Sequence, residues 1–120
     1  MKVALIGYGK MGRLIDSLAS EYDCEIVLRL DQASNQGGDG MSRENFEGVD
    51  VAIDFSTPEA AFHNISQIAA LGVDLVVGTT GWLDRLDDVN RIVERCGTGL
   101  VWSPNFSVGV NLFFRLVEEA

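Results

Sequence analysis

Residues 2–12, Lys-Val-Ala-Leu-Ile-Gly-Tyr-Gly-Lys-Met-Gly, constrain this chain more than any other stretch. The apolar run Lys2–Ile6 meets the pattern Gly7-x-Gly9-x-x-Gly12, and a stripe follows in which Met11, Leu14, Ile15, Leu18, Ala19 and Tyr22 recur at helical spacing. Only an α-helix puts such residues on one face. The chain must therefore pass from strand to helix within a few residues. Gly7 then permits the tight turn, Gly9 leaves the backbone open to close approach, and Gly12 lets the helix pack against the strand.

The same alternation continues along the chain. A helix is predicted at Lys10–Tyr22 and strands at Cys24–Leu30, Val51–Phe55, Asp74–Val77 and Leu100–Trp102. Between them, Ser56 or Thr57 is expected to cap a helix that starts at Pro58, with Glu59 in its first turn, and ends near Gly72. Leu86, Val89, Ile92, Val93 and Cys96 mark a further amphipathic helix closed by Gly97, and Val108–Ala120 reads as a last helix. Gln32–Gly48 is polar and glycine-rich and reads as a surface loop, with one helical turn near Glu44. Strands alternating with helices imply one α/β domain, a doubly wound parallel sheet of Rossmann type. The expected strand order is 2-1-3-4-5, with the usual third strand reduced to the Gln32–Gly48 loop. Ligands of such sheets bind beyond the carboxyl ends of the strands where the order reverses, here between the first and third.

Bulk properties exclude several alternatives. A net charge of −9 repels nucleic-acid phosphates. No apolar run approaches the ~20 residues that span a bilayer, so no membrane partner is expected. The N-terminal apolar stretch is too short for a secretory signal, which makes the cytoplasm the expected compartment. Cys24 and Cys96 are far apart and outside any metal-ligand spacing, so both are read as reduced thiols and no metal site is expected.

Four loops carry chemistry. Gly7, Tyr8, Gly9, Lys10, Met11 and Gly12 form a phosphate-binding turn at a helix N-terminus, where backbone N–H groups attract a pyrophosphate despite the negative net charge. Asp31 closes the second strand, where a carboxylate accepts from the ribose hydroxyls of NAD and repels the 2′-phosphate of NADP. NADH is thus favoured, with NADPH left open; the plainer reading of Asp31 is a solvated turn residue. Phe55 and Ser56 are expected under the passing cofactor, and Asp54 is read as structural. Gly78, Thr79, Thr80 and Gly81 suit a loop that meets a flat ring with backbone and offers hydroxyl donors. Asn105 and Phe106 complete the rim, placed to meet the nicotinamide carboxamide and ring. His63 reads as a surface residue, and Asp84, Asp87 and Asp88 as a solvated helix start.

Gly7–Gly12, Asp54-Phe55-Ser56, Gly78-Thr79-Thr80-Gly81 and Ser103-Pro104-Asn105-Phe106-Ser107-Val108-Gly109-Val110-Asn111 together resemble dihydrodipicolinate reductase, in its N-terminal half. The resemblance implies a hydride transfer from NADH or NADPH to a small cyclic dicarboxylate in lysine biosynthesis by the diaminopimelate route, usually in a homotetramer. It also implies that Gly78, Thr79 and Thr80, with Ser103, Pro104, Asn105 and Phe106, hold the nicotinamide side of the cofactor, and that Thr80 reaches the substrate. The catalytic residues of that family, a His-His pair and a Lys, have no counterpart here, so none is assigned and a C-terminal substrate domain is expected outside residues 1–120. Phe113, Phe114, Leu116 and Val117 call for a partner surface, and such a domain alone is expected to bind cofactor but turn over little. The alternatives are the cofactor domain of another NAD-dependent imine or amino-acid dehydrogenase, and a non-catalytic dinucleotide-binding module.

Overall fold

The computed structural model describes residues 1–31, 34–35, 39–79, 81–103 and 115. Five strands, β1 (Lys2–Ile6), β2 (Glu25–Leu30), β3 (Val51–Asp54), β4 (Asp74–Val77) and β5 (Leu100–Trp102), form one parallel sheet in the order β2-β1-β3-β4-β5. The predicted order is therefore observed, and no described residue between β2 and β3 adds a strand.

Side chains alternate across the sheet as the period of two requires. Val3, Leu5, Val51, Ile53 and Val76 pack on one face with Ile15 and Ala19 of α1 (Lys10–Ala19). Ala4, Ile6, Ala52, Leu75 and Val77 pack on the other against Ala61, Ile65 and Ile68 of α2 (Pro58–Ala70) and Val89 of α3 (Leu86–Cys96). Both faces are covered, which is why β1 and β3 consist of nearly continuous apolar residues. At the β2 edge the pairing register slips between Val3 and Ala4, so Val27 is skipped and Arg29 pairs with Leu5. That slip rephases the strand and brings a cation to the α1 side.

Several expectations need correction. The first helix tightens into a 3-10 turn at Ser20–Tyr22, because Asp23 adopts a left-handed conformation (φ 57°) before β2. Leu14 lies 47% exposed, off the buried stripe. The segment before β3 is not wholly a surface loop: Met41 and Phe46 enter the core, and an N–H of Phe46 donating to the Ser42 carbonyl (3.1 Å) makes the helical turn. Neither Ser56 nor Thr57 caps α2 with its hydroxyl; Thr57 occupies the cap position without a side-chain bond, and Ser56 is drawn to Asp54. Gly97 closes α3 in the left-handed region (φ 70°), as predicted. Cys24 is buried and Cys96 half-buried, both as free thiols, and His63 is exposed. The predicted helix at Val108–Ala120 lies outside the described residues.

Candidate functional site

The parallel ladder runs one residue past the strands and lines up the loops predicted to be functional. The N–H of Gly7 donates to the Leu30 carbonyl (2.7 Å), that of Phe55 to Ile6 (2.8 Å), that of Gly78 to Asp54 (2.9 Å) and that of Ser103 to Val77 (3.1 Å). Gly7, Phe55, Gly78 and Ser103 thus form a row along the carboxyl edge, each opening a different loop. The row crosses the point between β1 and β3 where strand order reverses.

The glycine turn is built by close contact below and open space above. Gly7 has φ +91°, and a Cβ placed there would lie 2.5 Å from the Phe55 carbonyl oxygen. A Cβ on Gly12 would lie 2.6 Å from the Gly7 carbonyl oxygen, so the helix and the turn touch through backbone. A Cβ on Gly9, at the N-cap of α1, would meet nothing within 4 Å among the described residues. Among the described residues no side chain caps this helix, and its first turn holds no acid, whereas α2 begins with Glu59 and α3 with Asp87 and Asp88. Its free N–H groups and the helix dipole therefore present partial positive charge to solvent. Lys10 is exposed and Met11 half-buried at the same end.

Behind the turn, Asp16 ties the glycine loop to β2. Its carboxylate accepts from the Tyr8 hydroxyl (2.5 Å) and from Nε and Nη2 of Arg29 (2.6 and 3.0 Å). Arg13 lies over the Tyr8 ring, 5.2 Å from its centre. The Arg29 hydrogen bonds, followed by that from Tyr8, hold the Asp16 carboxyl below the usual carboxylate range. A lowered acid contributes stability that is present above its unfolded value and lost as the pH falls through the folded one. Asp16→Asn is thus expected to reduce the urea midpoint above about pH 5, with the difference from the parent closing by about pH 2. Since Arg29 is exposed, the effect is about 1 kcal/mol or less. Equal differences at both pH values would rule out this account. Sequence spacing does not reveal Asp16 or Arg29, because their meeting depends on the slip in β2.

Asp31 is exposed at the end of β2 and forms a small turn. Its Oδ1 accepts from the Ser34 N–H (2.8 Å), and its own N–H donates to Ser34 Oγ (2.9 Å). The turn reading of Asp31 is correct as far as it goes, and it holds the carboxylate at the carboxyl edge.

The other half of the row is organised from beneath by Asp54, which is fully buried. Its Oδ1 accepts from the Ser56 N–H (2.8 Å), the Ser56 hydroxyl (2.6 Å) and the Thr79 hydroxyl (3.0 Å). Asn64 on α2, also buried, donates to Ser56 Oγ (3.1 Å), and Trp82 Nε1 donates to the Thr79 carbonyl (2.6 Å). Burial pushes the Asp54 carboxyl above its ordinary range, against the hydrogen bonds from Ser56 and Thr79. The Thr79 hydroxyl therefore faces inward and is not a donor to the crevice, contrary to expectation. Gly78 leaves room for something other than the flat ligand ring expected there: a Cβ would run into the Phe55 side chain, so the ring resting on its backbone is the chain's own. Asn64 was invisible in sequence because polar residues at helix positions are usually solvated. Trp82 packs edge-on against Trp102, with ring centres 5.9 Å apart. Thr80, Pro104, Asn105 and Phe106 lie outside the described residues.

Residues 1–106 match the family described as Dihydrodipicolinate reductase, N-terminus. The chain belongs to this family. A 4-hydroxy-tetrahydrodipicolinate reductase of Christiangramia forsetii is 40% identical over 119 residues, covering 99% of this chain and 48% of that protein. The enzyme of the same name from Archaeoglobus fulgidus is 37% identical over all of this chain and 51% of its own length. The chain thus spans about half the length of the curated relatives it matches. Among solved structures, a meso-DAPDH variant with DAP from Clostridium tetani superimposes with a TM-score of 0.67 at 16% identity, over 97% of this chain and 40% of that one. A hyperthermophilic archaeal homoserine dehydrogenase mutant in complex with NADPH gives 0.62 at 14% identity, over 84% and 43%. At those identities the likeness concerns the fold.

Proposed function

We propose that this chain is the dinucleotide-binding part of a 4-hydroxy-tetrahydrodipicolinate reductase, a cytoplasmic NAD(P)H-dependent oxidoreductase of lysine biosynthesis. The carrying observation is the open backbone over Gly9 at an uncapped, acid-free helix N-terminus, set at the reversal of strand order. A pyrophosphate fits such a cradle, since N–H groups and the dipole favour an anion and no described side chain fills the space. Gly7, Tyr8, Gly9, Lys10, Met11 and Gly12 would hold the phosphates, and Asp31 the adenosine ribose. Phe55, Ser56, Gly78 and Thr79 would line the path toward the nicotinamide through their backbone, with Thr80, Ser103, Pro104, Asn105 and Phe106 at its end. When bound, the reduced cofactor supplies the hydride. These residues orient it; proton delivery and the grip on a small dicarboxylate, beyond any contact from Thr80, fall to a C-terminal substrate domain, within the homotetramer usual for the family.

Asp31 favours NADH, because a carboxylate at the ribose accepts hydroxyl hydrogen bonds and repels a 2′-phosphate. Calorimetric titration of the chain with NADH and NADPH tests this reading. NADH is expected to bind more tightly, and Asp31→Ala to weaken it roughly tenfold, the loss of a hydrogen bond to a charged group. Tighter binding of NADPH by the parent would remove Asp31 as discriminator. Binding of neither would overturn the assignment of the site.

A further inference from the structure

We propose that Asp54 is the positioning residue of the nicotinamide half of the crevice, holding the Ser56 and Thr79 loops in register through one shared oxygen. The inference rests on the dinucleotide reading above and adds a residue that never touches the cofactor. Three donors from two loops converge on Oδ1, and Asn64 and Trp82 brace the same loops from α2 and from the residues after β4. Stability alone does not call for this arrangement. Backbone pairing already joins β3 to the loop after β4 through the Gly78 N–H and Asp54 carbonyl. An apolar side chain would suit a position whose strand partners are Ile6 and Val77. Instead the position holds a fully buried acid whose Oδ2 has no hydrogen-bond partner among the described residues. A costly buried polar group that organises loops at a ligand-facing edge is the mark of a preorganised site.

Its influence is local. Asp54 is separated from β2, and so from Asp31, by the whole of β1, about 10 Å at the usual strand spacing. Loss of the shared acceptor should let the Ser56 and Thr79 loops shift while the adenosine side stays in place.

The test compares NADH with ADP-ribose, which keeps adenosine, both ribose rings and both phosphates but lacks nicotinamide. Calorimetry on the whole chain gives the ratio of the two affinities. The parent is expected to prefer NADH. Asp54→Leu, and independently the isosteric Thr79→Val, should reduce that preference about tenfold, as for loss of one hydrogen bond to an acid, with ADP-ribose unchanged within about twofold. Asp54→Asn keeps the acceptor and should retain the parent ratio. If Asp54→Leu does not fold, Thr79→Val decides. Equal weakening of both ligands, an unchanged ratio, a parent with no preference for NADH, or loss in Asp54→Asn would each overturn the role of Asp54. A parent that binds neither ligand overturns the dinucleotide reading itself, and this inference with it.

Discussion

Gly7→Ala is expected to lose a large share of its folding stability, whether or not any ligand is present. At φ +91° an L side chain is strained by about 1–2 kcal/mol. The new Cβ would also stand 2.5 Å from the Phe55 carbonyl oxygen, 2.7 Å from its carbon and 2.8 Å from the Ser56 nitrogen. All three are backbone atoms, and the Phe55 N–H is tied to Ile6, so no side chain can swing aside. Forced overpacking of this kind costs about 1–3 kcal/mol more. Against the 5–15 kcal/mol typical of a domain, a combined loss of roughly 2–5 kcal/mol is large. Urea unfolding followed by circular dichroism measures it directly. A midpoint equal to that of the parent would show that the turn can relax, and that close contact is not what selects glycine here.

Gly9→Ala should behave in the opposite way. Its φ is −91°, its Cβ meets nothing within 4 Å among the described residues, and the unfolding midpoint should stay close to that of the parent. Binding should fall instead, because the methyl group enters the space that a pyrophosphate needs in order to reach the helix N–H groups. Each charge-assisted hydrogen bond lost there corresponds to roughly 1.5–3 kcal/mol, or about 10- to 100-fold in affinity. Calorimetry with NADH and with ADP-ribose should show equal losses, since both carry the pyrophosphate. Unchanged affinity would place the phosphates away from Gly9. The two variants together separate the glycine that the fold requires from the glycine that the ligand requires, although the motif presents them alike.

Much of the architecture was legible because it rests on short-range patterns. The apolar runs Val3–Ile6 and Val51–Ile53 are covered on both faces, which marks parallel strands, and the glycine motif places the first turn and helix beyond ambiguity. Strand order follows once the alternation of elements is read as a doubly wound Rossmann sheet, and the described starts of the loops named from their glycines and hydroxyls lie along one edge. Less legible was the use made of each residue. Thr79 reads as a donor toward a ligand and Ser56 as an acceptor for the N–H groups of a helix start, yet both hydroxyls donate to Asp54. Met41 and Phe46 sat in a polar, glycine-rich stretch where composition outweighed two isolated apolar side chains, and both are buried.

The sequence by itself determined the elements and the turn around Gly7–Gly12, because each depends on neighbours within a few residues or on the period of a buried face. Tertiary structure alone decided the pairings across elements. A one-residue slip in β2 turned Arg29 toward Asp16, and the adjacency of β3 and β4 brought Ser56 and Thr79 onto a single oxygen of Asp54. No local pattern encodes such meetings, since they depend on register and on which strand lies beside which.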